Sequence, residues 1–334
     1  MRLQKLAVEE HFAEPETVDE SQKKFFPPDR WPKLRNDLLD IHGQLLADMD
    51  TYGIQMSLLS LVSPGIQEIL SKQKAVDTAR RSNDYLAEQV AKRPDRFQAF
   101  AALPLQDPDA AAQELIRCVK ELGFRGAMVN GFSEIDVEES SFYYDLPQYW
   151  PFWATVESLD VPFYLHPRRP LKNRKDLEGH PWFLAGAWAF GVETATHALR
   201  LMGSGLFDQY PKLTIVLGHL GEMLPNAIWR IENRLNEISR GIPAKKRLGE
   251  YLRNNFYFTT SGNCCTKTLM NTILTVGADR VMFGTDSPFE KMGRAVDWLD
   301  TLDAISETDR VKIARTNAEK LFKLGALTKS DASV

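Results

Sequence analysis

Imidazole and carboxylate groups recur in four short clusters along the 334-residue chain: Glu9 with His11, His166, His219 with Glu222, and Asp286. Glu9 and His11 are two residues apart, so in an extended segment both side chains point the same way. Glu9, His11, His166 and Asp286 make a mixed nitrogen and oxygen donor set suited to one divalent ion, with Zn, Mn and Mg all compatible. Such an ion clamps charge on a bound substrate while a neighbouring acid or base moves protons.

These groups become a set only if the chain brings them together. Short apolar runs suited to strands fall at residues 3–8, 56–61, 98–103, 126–130, 162–166, 213–218, 256–261 and 280–285, and helical periodicity lies between them. One intervening helix starts at Asp107-Pro108, carries Ala111, Leu115, Cys118, Val119 and Leu122 on one face, and stops at Gly123. Aspartate suits the position before the first helical turn and proline the turn itself. Eight strands alternating with helices predict a single α/β domain over residues 1–334, a (β/α)8 TIM barrel.

Catalytic groups in this architecture stand at the carboxyl ends of the strands. Three of the six histidines, His11, His166 and His219, fall at such ends, as do Glu9, Asn130, Thr260, Ser261 and Asp286. His42 and His197 lie in helical stretches and read as structural. Residues 12–40 and 168–195 are too long for plain connections and read as insertions covering the C-terminal mouth. His180 lies in the second of them, within reach of a substrate.

Composition narrows the class of partner. A formal net charge of -4 offers no basic field for nucleic acid or an anionic membrane. The chain has no apolar run long enough to span a bilayer, and its first residues, MRLQKLAVEEHF, meet charge too early for a signal sequence. A cytoplasmic protein is the expectation. Cys118, Cys264 and Cys265 form no C-x-x-C pair and read as reduced packing residues.

The motifs E-x-H (9–11), Y-L-H-P (164–167), G-H-L-G-E (218–222) and T-D-S-P-F-E (285–290) resemble the amidohydrolase superfamily, and within it the nonoxidative decarboxylases of ortho-hydroxybenzoates. The phrases A-L-P-L-Q-D-P, V-P-F-Y-L-H-P, H-A-L-R-L-M-G-S-G-L-F-D and T-T-S-G-N are similar to the γ-resorcylate (2,6-dihydroxybenzoate) group, over about residues 3–324. The resemblance implies metal binding by Glu9, His11, His166 and Asp286, and a relay from Glu222 through His219 to Asp286. It places Arg230, Phe25, Trp188, Phe190 and Phe289 around an aromatic acid. Asn130 and His180 join that substrate-facing group, and a homo-oligomer, tetramer or dimer, is implied. Departures from the pattern are Ser287, where tryptophan is usual, and Cys264-Cys265, where an aromatic-basic pair is common. His11 is retained where several decarboxylases of other substrates carry alanine.

The expected reaction is the reversible, metal-dependent loss of CO2 from 2,6-dihydroxybenzoate to give resorcinol, with Asp286 as the acid. Relatives acting on 2,3-dihydroxybenzoate or salicylate remain alternatives. So does a hydrolase of a lactone or amide that uses the same single-metal shell to activate water, although strand four ends at Asn130 and offers no lysine to bridge two ions. A metal-free scaffold would keep the barrel without the chemistry.

Overall fold

The computed structural model describes residues 3–171 and 174–325. Eight parallel strands form the frame: β1 (Lys5–Phe12), β2 (Ile54–Leu61), β3 (Phe97–Ala99), β4 (Ala127–Asn130), β7 (Phe163–His166), β8 (Ile215–Leu217), β9 (Phe256–Thr259) and β10 (Val281–Met282). They pair as β1-β2-β3 and as β10-β9-β8-β7-β4. Isolated parallel bridges join Ala101 to Ala127 at one seam and Glu10 to Ser287 at the other. The arrangement is that of a (β/α)8 barrel.

Alternation along the strands divides the apolar side chains between two layers. Leu6, Val8, Met56, Leu58, Phe100, Met128, Tyr164, Val216 and Met282 form the inner cluster, which Ala318 and Phe322 join. The other faces, with Ala7, Leu59, Val129, Leu165, Leu217 and Phe258 among them, pack on the surrounding helices. The helix Pro108–Lys120 begins as its sequence requires, the Asp107 side chain accepting from the amides of Asp109 and Ala110.

One local feature lay beyond simple alternation. Between Ala7 and Glu10 the pairing with β2 shifts register, so three steps of β1 oppose two of its neighbour. The extra residue lets Leu6 and Val8 fill the barrel while Glu9 and His11, of opposite parity, also face inward. β1 therefore continues to Phe12, and the ligand pair lies within the strand rather than after it.

The long connections are folded. Residues 13–40 hold the helices Val18–Gln22 and Trp31–Leu39 and share a small core of Ala13, Val18, Trp31, Leu38 and Val62. The second insertion is shorter than expected, because the helix Ala189–Gly203 begins inside it. An antiparallel hairpin, β5 (Ser133–Ile135) and β6 (Val137–Phe142), follows β4 and had no clear signal in the sequence. Cys118 is buried, but Cys265 is exposed and packs in no core. No helix among the described residues is long and apolar enough to cross a membrane.

Glu10, between the two inward ligands, ties the seam. Its carboxylate accepts from the Thr285 amide at 3.0 Å, from the Thr285 hydroxyl and from the Ser287 amide at 3.2 Å. This anchors the segment carrying Asp286 to β1. Glu10→Ala leaves those buried donors without a partner and should lower the unfolding free energy in urea by about 2–4 kcal/mol. A change below about 0.5 kcal/mol, the range of surface substitutions, would contradict the tie.

Candidate metal centre

Glu9 is completely buried, and its two oxygens have different surroundings. Oε2 accepts from the hydroxyls of Tyr164 and Ser261 and from Thr259 Oγ1 at 3.0 Å. Oε1 has no hydrogen-bond partner, and neither has the buried Nε2 of His11. Buried polar atoms without partners are uncommon, since each costs about 1–3 kcal/mol. Here both face the same point. One donor atom from each of Glu9, His11, His166 and Asp286 lies within 4.8 Å of every other.

The imidazoles are fixed from behind. His11 Nδ1 meets Ser60 Oγ at 3.2 Å, and His166 Nδ1 donates to Asn130 Oδ1 at 2.8 Å, which turns the Nε2 lone pair of His166 inward. His166 Nε2 is then 3.4 Å from Glu9 Oε1, and His11 Nε2 is 3.2 Å from Asp286 Oδ1. Two carboxylates and two oriented imidazoles fit a divalent ion: the unpartnered atoms are those such an ion would engage.

His219 stands beside this group. Its Nδ1 donates to Glu222 Oε1 at 2.5 Å, and its Nε2 is 3.6 Å from Asp286 Oδ2. Both His219 and Glu222 take left-handed backbone angles, with φ of 52° and 50°, as does Asp286 at 64°. Non-glycine residues rarely adopt this conformation, and clusters of them mark functional sites. Close packing enforces the arrangement. A Cβ at Gly262 would lie 2.9 Å from His219 Cδ2 and 3.0 Å from Asp286 Oδ2, and one at Gly218 would lie 2.9 Å from Glu9 Oε2.

Electrostatics among the protein groups follow from this geometry. Burial alone would raise the Glu9 carboxyl, but the surrounding imidazoles, His219 foremost, outweigh it and hold the group well below the usual carboxylate range. Burial opposes charge on His219 as well, yet Glu222, Glu9 and Asp286 push its pKa well above that of a free imidazole. Asp286 is lowered, since the nearby imidazoles of His11 and His219 outweigh its burial. Among the protein groups alone, Glu9 and Asp286 thus favour their charged forms and His219 its protonated one.

Above the group opens a cavity of about 360 Å³, lined by His166, His219 and Asp286 together with Phe25, Phe190 and Phe289. Phe289 meets the His11 ring edge-on at 5.6 Å and Phe26 by stacking at 6.1 Å. Other residues expected around a substrate are placed elsewhere. Asn130 sits behind His166 and is 2% exposed, so it orients a ligand rather than forming the wall. Arg230 lies on the exposed side of the helix Leu224–Glu237, whose Leu224, Pro225 and Ile228 face the core. Trp188 and His180 are exposed and do not line the cavity within this chain. His197 is structural, as its helical position suggested: it is buried, its Nε2 accepts from the Tyr144 amide, and burial lowers its pKa to about 3.

Sequence reasoning missed Tyr164 and Thr259 as supports of Glu9, and Gln22, Phe26 and Arg169 as cavity residues. Tyr164 alternates with His166 along β7 and was open to inference; the cavity residues carry no periodic signal. The support behind His166 gives a test. Asn130→Ala should weaken divalent-metal affinity about 10- to 100-fold, as loss of a bond behind a ligand does elsewhere, in a chelator competition titration. Unchanged affinity would remove Asn130 from that role.

Comparison with known proteins agrees with the geometry. The amidohydrolase family model matches residues 25–324. The γ-resorcylate decarboxylase of Rhizobium sp. (strain MTP-10005) is 56% identical, the match covering 96% of this chain and 98% of that protein. The γ-resorcylate decarboxylase of Rhodococcus jostii (strain RHA1) is likewise 56% identical, over 96% of this chain and 98% of its own. The crystal structure of a dihydroxybenzoic acid decarboxylase from Polaromonas sp. JS666, with bound manganese and the inhibitor 2-nitroresorcinol, superimposes with a TM-score of 0.93 at 55% identity, covering 97% of this chain and 98% of that one. The 2,6-dihydroxybenzoate decarboxylase structure from Rhizobium gives 0.92 at 55% identity, covering 97% and 99%. The barrel, the four converging donors and these matches together establish that the chain belongs to the amidohydrolase family, in the branch that includes the γ-resorcylate decarboxylases.

Proposed function

We propose that this protein is a nonoxidative decarboxylase that converts 2,6-dihydroxybenzoate to resorcinol and CO2, reversibly, with one divalent ion held by Glu9, His11, His166 and Asp286. The observation that carries the reading is the convergence of those four donors beside the Asp286, His219 and Glu222 chain, on the floor of an aromatic-walled cavity. The relatives at 55–56% identity act on this acid. Manganese is the proposed ion, since a relative of the same fold binds it. The exposed Trp182, Trp188 and Trp229 support a homo-oligomer, because self-association would cover apolar surface of this kind.

The reaction consumes one proton for each carboxylate lost, because the ring carbon that gives up CO2 must gain hydrogen. Held by Glu9, His11, His166 and Asp286, the ion would supply positive charge that stabilises negative charge developing on the substrate. Asp286 is the acid that faces the ring carbon, and His219 Nε2 at 3.6 Å from Oδ2 is the group that reloads it. Glu222 holds the imidazole in one tautomer and stabilises its charged form through the bond at Nδ1. Phe25, Phe190 and Phe289 exclude water and offer flat apolar surface to the ring.

Incubation of the manganese-loaded protein with 2,6-dihydroxybenzoate should release CO2 and resorcinol in equal amounts, and chelation should stop it. Asp286→Asn should lower turnover by about 100-fold or more, the scale of a lost general acid, while the ring acid still binds. Absence of CO2 from 2,6-, 2,3- and monohydroxybenzoates alike would overturn the decarboxylase reading. Near-normal turnover in the variant would remove Asp286 from the acid role.

A further inference from the structure

The peptide after His166 carries two adjacent arginines with opposite environments. Arg168 is buried and engaged by its own chain: its two terminal nitrogens donate to the carbonyls of Phe132 and Gln67 and pair with Glu134 at 3.0 Å and Glu68 at 3.4 Å, and its guanidinium lies 4.2 Å over the Phe132 ring. Arg169 is half-buried on the cavity wall, and its guanidinium lies 4.2 Å over the ring of Phe25. It makes no hydrogen bond or ion pair with any described residue. The nearby carboxylate of Glu68 is already engaged, one oxygen by Arg168 and the other by Lys24 at 3.4 Å.

The cavity's charges make this position consequential. Glu68, Asp286 and Glu290 are carboxylates on its wall, whereas Arg169 is the one lysine or arginine among the described lining residues. Glu68 is paired with Arg168 and Lys24, Glu290 with Arg294 at 3.2 Å, and Asp286 belongs to the metal-ligand group, so Arg169 is the wall side chain left to meet an anionic hydroxybenzoate. A guanidinium offers five donors in a planar fork matched to a carboxylate, and stacking on Phe25 fixes the plane of that fork beforehand.

We infer that Arg169 is a specificity-determining side chain of this cavity, pairing beside the metal position with the carboxylate of the incoming aromatic acid and so selecting acids over neutral phenols of the same ring. The inference rests on the decarboxylase reading for its substrate. Arg169 acts on binding: the carboxylate is lost as neutral CO2, so a strong bond to it stabilises the ground state and gives no help to the later chemistry. The alternative is a purely structural part, in which Arg169 holds the Phe25 segment over the mouth.

Arg169→Met keeps a long side chain over Phe25 and removes the charge, and Arg169→Lys restores the charge without the fork. Both variants and the wild type are loaded with manganese. Turnover of 2,6-dihydroxybenzoate is measured together with calorimetric binding of that acid and of neutral resorcinol. Arg169→Met should raise KM and the acid's Kd about 10- to 100-fold, the loss expected for a charge-assisted bond, with kcat changed less than about threefold. Resorcinol affinity should stay at the wild-type value, and Arg169→Lys should recover part of the acid's affinity. Acid affinity unchanged in Arg169→Met overturns the inference, as does an equal loss for acid and resorcinol, which marks the structural part. Wild-type protein that binds the acid but releases no CO2 defeats the decarboxylase reading alone, because the binding comparison still decides the role of Arg169.

Discussion

A carboxylate removed entirely from water must have a compensating charge, and Glu9 is such a group at the centre of the barrel. Three hydroxyls, on Tyr164, Thr259 and Ser261, satisfy one of its oxygens and leave the other facing His11, His166 and Asp286. Without a cation the site would gather two carboxylates around unpartnered atoms in a low-dielectric interior, an arrangement that costs stability. With one, the same atoms become ligands. The metal centre is thus a consequence of how the barrel buries its acids.

The rest of the structure serves to hold that geometry. The register shift in β1 turns Glu9 and His11 inward where the barrel needs both their charge and the apolar bulk of Leu6 and Val8. Glu10, facing the other way, fastens the segment of Asp286. Gly218 and Gly262 keep side chains out of the space that Glu9, His219 and Asp286 occupy. His219 is held at a left-handed backbone angle with one nitrogen toward Glu222 and the other toward Asp286, so the alignment that the proposed proton path needs is set by the turn after β8.

Much of this was legible in the residues. Short apolar runs followed by polar side chains located all eight strands and the four metal-ligand candidates, because parallel strands are buried on both faces and chemistry collects at their carboxyl ends. Strand ends were less legible: β1 extends to Phe12 because its pairing with β2 continues through His11 with Ser60 and Phe12 with Leu61, contacts distant in sequence. The hairpin after β4 has mostly polar, exposed residues in its second strand and no alternating pattern to reveal it. Within the cavity, aromatic character alone could not separate Phe190, which lines it, from Trp188, which is exposed two positions earlier. Arg169 was hidden for a related reason, since adjacent arginines look equivalent until their partners are known.

The proposed site holds one divalent ion among Glu9, His11, His166 and Asp286. Anomalous diffraction from crystals grown with manganese tests it most directly. A single strong peak should appear in each barrel, about 2.0–2.2 Å from oxygens of Glu9 and Asp286 and from nitrogens of His11 and His166. A peak bound elsewhere, or none within reach of Glu9 and His166, would contradict it.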